Sequence, residues 1–155
     1  RNTGPSMSPF NAWVMLKGLE TLDLRVHRTC DHAEKLAQFL ADHQAVTRMM
    51  YPHHPSHPQW DLARQQMSRG GTLVAFELAD QQTAFSFLNK LKLISISNNL
   101  GDAKSLITHP ASTTHAKLPL EEMQQLGIGP GTLRLSVGLE HADDLMDDLD
   151  QALSP

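Results

Sequence analysis

The sequence has a single cysteine, Cys30, among its 155 residues, which excludes an internal disulfide framework. A chain without disulfides suits a reducing compartment, so we expect a cytoplasmic protein. Basic residues are also scarce: 13 Lys and Arg face 17 Asp and Glu, which gives a formal net charge of −4. Non-specific nucleic-acid binding needs a basic surface, so nucleic acid is not an expected partner. No apolar run approaches the length of a membrane span, and a membrane is not an expected partner either.

Several sequence signatures of catalysis are missing as well. There is no Gly-rich phosphate loop leading into a helix, and no Gly-x-Ser-x-Gly nucleophile elbow. None of the lysines lies in a setting that marks a catalytic amine. The sequence therefore predicts part of a binding site, without the groups that make and break bonds.

Hydrophobic spacing predicts an alternation of helices and strands. Apolar residues recur at helical spacing from Pro9 to His43. Roughly thirty residues is long for a globular helix, so we expect either a break near 18–23 or a helix that bridges two bodies. Further helices are predicted at 59–67, 81–91, 120–126 and 142–153, and strands at 46–51, 72–78, 93–96 and 132–137. This order predicts an α+β fold. We expect one mixed or mostly antiparallel sheet of about four strands, with helices packed on one side and a long N-terminal helix.

Helical periodicity also assigns inner and outer faces to two helices. The expected apolar face of helix 81–91 consists of Ala84, Phe85, Leu88 and Leu91. In helix 142–153 the expected inner face consists of Leu145, Met146, Leu149 and Leu153. The five aspartates of the same helix are expected to form a solvated face rather than catalytic carboxylate pairs. They are Asp143, Asp144, Asp147, Asp148 and Asp150.

Three histidines, His53, His54 and His57, lie among the prolines of residues 52–58. The prolines predict a loop. Because no Cys or acid stands at ligand spacing, a surface loop is favoured over a metal site. No metal ligand is therefore assigned in this chain.

Residues 97–140 are rich in small polar side chains and poor in charge. Within them, the alternating run 132–138 places apolar side chains on one strand face and Arg134 on the other. A guanidinium on such a strand is costly to desolvate unless an anion meets it. Arg134 therefore binds a ligand carboxylate, lies on a solvated face, or pairs with an internal acid such as Asp102 or Glu140. The pattern alone favours the two structural interpretations, because most arginines are exposed or paired.

Three segments resemble the Cys/Met-metabolism family of pyridoxal-phosphate-dependent enzymes. They are Asn98–Leu106 (NNLGDAKSL), His109–His115 (HPASTTH) and Arg134–Gly138 (RLSVG). The opening residues 4–22 also resemble the stretch that follows the family's cofactor domain. The resemblance spans essentially all of the chain, and its motifs stand in the family's order.

The resemblance implies the small C-terminal domain of an aspartate-aminotransferase-like fold. Residues 1–45 would form a linking helix region, and residues 46–155 a substrate-clamping domain. The cofactor domain, which binds pyridoxal 5′-phosphate, and the lysine that carries this cofactor would lie upstream. No catalytic or cofactor-binding residue is therefore assigned here. The polar start, Arg1 to Pro5 without a Met, likewise suggests a piece of a longer chain.

The same resemblance implies three substrate-binding residues. Arg134 stands where the family has the arginine that binds the substrate α-carboxylate. Asn99 stands where many members carry a Ser that helps to orient this carboxylate, and the departure from Ser leaves the details of that contact open. Thr114 matches a Thr near the substrate.

The wording of residues 97–106 most resembles the branch of the family that acts on O-succinylhomoserine. The implied reaction is replacement of succinate by sulfide to give homocysteine, in methionine biosynthesis. The expected partners are these substrates, the upstream cofactor domain and further copies of the enzyme in a homotetramer. The chain alone is expected to be inactive. The alternatives are an O-acetylhomoserine sulfhydrylase, cystathionine γ-synthase or methionine γ-lyase, and a free-standing amino-acid-binding module.

Overall fold

The computed structural model describes residues 6–154, which form six α-helices and one five-stranded sheet. The helices are α1 (Pro9–Leu19), α2 (Leu22–Asp42), α3 (Trp60–Gln66), α4 (Gln81–Lys90), α5 (Leu120–Gln125) and α6 (Ala142–Leu153). The strands are β1 (Arg48–Met50), β2 (Leu73–Glu77), β3 (Ser95–Ile96), β4 (Leu106–Thr108) and β5 (Thr132–Ser136). A short 3₁₀ helix spans Pro110–Ser112. No described helix is long and apolar enough to cross a membrane.

The sheet has the strand order β1-β2-β5-β4-β3. All neighbours pair antiparallel except β3 and β4, which are parallel. The predicted α+β fold with a mixed, mostly antiparallel sheet is thus confirmed, but the sheet has one strand more than expected. The additional strand is β4, whose three residues are all buried. A strand buried on both faces has no alternation of apolar and polar residues, so the sequence pattern did not reveal it.

The core lies on the sheet face that carries Leu133 and Leu135, both fully buried. Helix α2 packs against β1 and β2, α4 packs against β5, and α6 packs between α2 and α4. Arg134 lies between these two leucines on β5 and therefore faces away from the helices. The other buried apolar residues of the core include Leu36, Leu40, Val74, Phe76, Ile107, Leu145 and Leu149.

The long N-terminal helix is interrupted where the sequence predicted a break. Helix α1 begins after Ser8, whose Oγ accepts a hydrogen bond from the Asn11 amide at 3.2 Å. The side chain of Arg25 donates to the carbonyl of Gly18 and so satisfies a free carbonyl near the end of α1. Helix α1 buries none of its residues. Five apolar side chains along α1 and the start of α2 are each between 55% and 71% exposed, and we call these five the apolar strip: Phe10, Trp13, Leu16, Leu19 and Leu24.

The expected apolar face of α4 was wrong at one position. Phe87 is buried, whereas Phe85 is 39% exposed. The Phe85 ring packs edge-on against the His109 ring, with 5.0 Å between the ring centroids. The helix turns the side chains of Ala84, Phe87 and Leu88 toward the sheet, and Phe85 falls at the margin of that face.

The expected solvated face of α6 was wrong for Asp148, which is 6% exposed. Its carboxylate accepts hydrogen bonds from the amides of Lys92, Leu93 and Ile94 at 2.8, 3.0 and 2.9 Å. These successive amides belong to the turn between α4 and β3 and need an acceptor. Asp148 therefore attaches this turn to α6.

Residues 52–58 form the predicted loop of turns and bends. Among residues 6–154 no group of three or more His, Cys, Asp and Glu side chains is arranged to hold a metal ion. The division of the chain at residue 45 stays a prediction.

Candidate functional site

Arg134 occupies the middle of β5, between two strands. In the sheet register it lies opposite Ala75 of β2 and opposite Thr108 of β4. Both register partners have short side chains, and these do not reach as far from the sheet as the side chain of Arg134. The guanidinium can therefore extend from a rigid strand toward residues 97–104, which we call the clamp loop.

The clamp loop holds the guanidinium through two main-chain carbonyls. Arg134 donates from Nη2 to the carbonyl oxygen of Asn98 at 2.9 Å and to that of Asn99 at 3.2 Å. A guanidinium has five N–H bonds, so this leaves those of Nε and Nη1. The Nε atom is buried and has no hydrogen-bond partner among the described residues. A buried donor without a partner is costly, so this atom fits an acceptor supplied by a ligand.

Neither internal acid considered above pairs with Arg134. Glu140 accepts hydrogen bonds from Ser105 instead, and Asp102 caps its own turn by accepting from the Lys104 amide at 3.4 Å. No ion pair joins Arg134 to an acid within the described residues. The positive charge of Arg134 is therefore available to an external anion.

Asn99 lies at the site through its main chain. Its carbonyl contacts Arg134, while its amide donates to the Ser97 hydroxyl at 3.2 Å. The Asn99 side chain is exposed and makes no hydrogen bond within residues 6–154. The structure thus brings Asn99 to Arg134, and the side-chain amide remains free for a ligand.

Thr114 is not joined to Arg134 by any hydrogen bond among the described residues. Its hydroxyl lies 2.8 Å from Nδ1 of His115. Its neighbour Thr113 lies closer to the sheet, because its hydroxyl is 2.8 Å from that of Thr108 and donates to the carbonyl of His109. Thr108 is the register partner of Arg134. The role of Thr114 in substrate binding stays a prediction.

His109 fixes the segment that carries these threonines. Its Nε2 lies 2.8 Å from the carbonyl oxygen of Pro130, so Nε2 carries a proton. Its Nδ1 lies 2.8 Å from the Ser112 hydroxyl and accepts from it. His109 is 2% exposed and thereby links the 3₁₀ helix to the turn before β5. Its buried position was not evident from the sequence, because histidines occur both on protein surfaces and in protein cores.

The arrangement can bind an anion and hold it in a fixed direction. It combines a guanidinium on a strand, a buried free N–H and an exposed amide side chain. Planar guanidinium groups suit carboxylates, which can accept two parallel hydrogen bonds.

Residues 1–154 match the family model for Cys/Met metabolism PLP-dependent enzymes. The chain belongs to the Cys/Met-metabolism family of PLP-dependent enzymes.

Curated relatives in this family include enzymes with different reactions. The chain is 55% identical over 159 residues to an O-succinylhomoserine sulfhydrylase of Mycobacterium tuberculosis, covering 99% of this chain and 39% of the relative. It is 43% identical to that of Pseudomonas aeruginosa, covering 99% and 38%. It is also 48% identical to an L-methionine gamma-lyase of Pseudomonas putida, covering 97% and 38%. The chain thus spans about two fifths of the length of these relatives.

A solved structure supports both the fold and the cofactor of the family. An O-acetylhomoserine (thiol)-lyase from Campylobacter jejuni matches with a TM-score of 0.93 and 43% identity, over 99% of this chain and 37% of the other. That structure contains N′-pyridoxyl-lysine-5′-monophosphate. The fold is therefore that of part of an aspartate-aminotransferase-like enzyme, and pyridoxal 5′-phosphate is the cofactor of the parent enzyme.

Proposed function

We propose that this chain is the substrate-binding C-terminal part of a PLP-dependent O-succinylhomoserine sulfhydrylase. The observation that carries the proposal is the Arg134 guanidinium, held by two carbonyls of the clamp loop, with a buried Nε that has no hydrogen-bond partner among residues 6–154. An amino-acid substrate brings a carboxylate, which is the acceptor that this atom lacks. Further support comes from the two sulfhydrylase relatives at 55% and 43% identity.

Arg134 would bind the α-carboxylate and so fix the orientation of the amino acid. A substrate whose carboxylate is held by a charged hydrogen bond at one end presents its α and γ carbons in a defined direction. When bound, pyridoxal phosphate supplies an electron sink that makes the α proton acidic. The groups that hold this cofactor and move that proton would belong to an upstream domain, with residues 1–45 as the link.

The proposed reaction replaces an oxygen leaving group with sulfur. The bond between the γ carbon and the succinyl oxygen breaks, and a bond between that carbon and sulfide sulfur forms, giving homocysteine and succinate. The methionine γ-lyase relative favours elimination as a second candidate, because it is 48% identical over nearly the whole chain. The carboxylate contact of Arg134 would serve both reactions equally.

Product analysis distinguishes these candidates in an enzyme that contains this chain. Supplied with O-succinylhomoserine and sulfide, a sulfhydrylase should form homocysteine and succinate. An eliminating enzyme should release methanethiol, a keto acid and ammonia from methionine. Formation of keto acid from methionine without homocysteine synthesis would reject the sulfhydrylase proposal. The chain by itself should show neither activity.

Replacing Arg134 with Ala tests the site directly. We expect KM for the amino-acid substrate to rise roughly 10- to 100-fold, because hydrogen bonds to charged groups contribute about 1.5–3 kcal/mol. The matched control is Arg28→Ala, an exposed arginine on α2 outside the site. Unchanged kinetics in Arg134→Ala would remove this residue from the site.

We further propose a cytoplasmic homotetramer as the form in which the full enzyme works. The single cysteine, Cys30, is buried and unpaired, which suits a reducing compartment. The exposed apolar strip suits burial against another domain or subunit. Size measurement on the full enzyme tests the oligomeric state.

A further inference from the structure

The position of the Arg134 guanidinium depends on the clamp loop, and this loop packs poorly against the helix beneath it. Residues 98–104 are all exposed, and Gly101 has a positive φ of 78°. A cavity of about 180 Å³ separates part of the loop from α2, since it is lined by Arg25 and Val26 on one side and by Asp102 and Ala103 on the other. Packing therefore contributes little, and hydrogen bonds must fix where the two carbonyls lie.

Those hydrogen bonds run to the same strand that carries Arg134 and to its continuation. The Gly101 amide donates to the Ser136 hydroxyl at 2.9 Å, and the Leu139 amide donates to the Ala103 carbonyl at 2.7 Å. Ser136 lies two residues beyond Arg134 on the same strand face. One segment, residues 134–140, therefore carries the guanidinium and also holds the loop through hydrogen bonds.

Glu140, at the end of this segment, binds Ser105 through two hydrogen bonds. Its Oε1 accepts from the Ser105 amide at 2.7 Å, and its Oε2 accepts from the Ser105 hydroxyl at 2.9 Å. The same hydroxyl oxygen accepts from the Gly138 amide at 2.9 Å. Ser105 is fully buried, and Glu140 has no ion-pair partner among residues 6–154.

Gly138 lies against the backbone of Lys104 and Ser105 with no room for a side chain. A Cβ added at Gly138 would lie 2.4 Å from both the Lys104 carbonyl carbon and the Ser105 nitrogen. A carboxylate that binds both the amide and the hydroxyl of one serine defines the position of that residue in two directions. Because Ser105 directly follows the clamp loop, fixing it also fixes the C-terminal end of the loop.

We propose that Glu140 is a positioning residue for the carboxylate site, acting through Ser105 and the clamp loop on Arg134. This inference rests on the proposed function of Arg134. Loss of the Glu140 carboxylate frees the loop end, lets the Asn98 and Asn99 carbonyls move, and leaves the guanidinium without a defined direction. The site then binds carboxylates less tightly, although no atom that contacts the ligand has changed.

The test uses NMR on the chain, with Glu140→Ala and with Asp80→Ala as the control. Asp80 is the N-cap of α4, where its carboxylate accepts from the Thr83 amide at 2.7 Å, away from the clamp loop. Both variants remove a carboxylate that binds a main-chain amide, so both should reduce stability. Hydrogen exchange of the Gly101 amide reports the loop without any ligand. Titration with acetate, followed at the Nε–H signal of Arg134, reports the site.

We expect exchange at Gly101 to become about tenfold faster in Glu140→Ala and to remain unchanged in Asp80→Ala. Acetate affinity should fall about tenfold in Glu140→Ala only, equivalent to ~1.4 kcal/mol. Equal effects of the two variants, or exchange that accelerates throughout the sheet, would show general destabilisation and overturn the proposal. An unchanged Gly101 amide and unchanged affinity would overturn it too.

The two proposals can fail separately. If acetate does not shift the Arg134 signal in the unmodified chain, the carboxylate function is rejected, while exchange at Gly101 still decides the role of Glu140. If Glu140→Ala does not fold, Ser105→Ala removes the hydroxyl contact from the other side. It carries the same expectations for both measurements.

Discussion

The carboxylate of Asp148 lies 2.9 Å from the main-chain nitrogen of Ile94 and also accepts from the two preceding amides. Replacing Asp148 with Ala should lower the free energy of unfolding by about 2–4 kcal/mol, because three main-chain amides, one of them buried, lose their acceptor. Urea unfolding measures this loss. The control is Asp147→Ala on the exposed side of α6, where a change within about 0.5 kcal/mol is expected. Equal losses in both variants would contradict a specific role of Asp148.

Asp148 also marks what the sequence could not predict. An aspartate among other aspartates on an amphipathic helix is expected to face solvent. Its burial is favourable only because three amides of a turn distant in sequence donate hydrogen bonds to it. Likewise, the two partners of Arg134 are main-chain carbonyls, which every residue possesses and no side-chain pattern reveals. Strand β5 was predictable because it alternates, with Leu133 and Leu135 inward and Arg134 outward. Strand β4 was not, because it is buried on both faces.

Tyr51 should make the stability of the chain decline at alkaline pH. Burial raises the pKa of its hydroxyl, which is 3.0 Å from the Gly71 carbonyl oxygen and donates to it. Tyrosine in the unfolded chain has a pKa of about 10. The folded state therefore keeps the Tyr51 proton at pH values at which the unfolded chain has lost it. Stability from this group is complete below about pH 10 and is lost as the pH rises further.

Two measurements check this prediction. Tyr51 is the only tyrosine, so tyrosinate absorbance should show ionisation delayed in the folded chain relative to the unfolded one. The Tyr51→Phe variant should be about 1 kcal/mol less stable at neutral pH and should decline less steeply in alkali. Burial also raises the pKa of the Cys30 thiol, so a smaller decline should remain. A normal Tyr51 ionisation in the folded state would reject the explanation.

The apolar strip should make the isolated chain self-associate. Trp13 and Leu16 are 55% and 60% exposed on a helix that buries none of its residues. Contiguous exposed apolar side chains favour association in water. Replacing both with Ser should shift sedimentation at a given concentration toward the monomer. The control Leu126→Ser changes an exposed leucine outside the strip and should leave association unchanged. A chain that is monomeric at high concentration before any substitution would contradict the prediction.

Substitutions of the neighbouring Thr113 and Thr114 should distinguish a role in folding from a role in substrate binding. The hydroxyl of Thr113 lies 2.8 Å from that of Thr108, which is 1% exposed and pairs with Arg134 in the sheet register. Thr113→Val would leave the buried Thr108 hydroxyl without this partner and should cost about 1–3 kcal/mol of unfolding free energy. Within residues 6–154 the Thr114 hydroxyl instead hydrogen-bonds only to the adjacent His115 ring, and Thr114 is exposed.

Thr114→Val should therefore leave the unfolding free energy within about 0.5 kcal/mol of its original value. If Thr114 contacts the substrate, as the family resemblance implies, the same variant should raise KM in an enzyme that contains this chain. Chemical denaturation and steady-state kinetics on the two variants distinguish the roles. A large loss of stability in Thr114→Val would assign it to the fold, because a residue that acts only on the substrate affects kinetics without affecting unfolding.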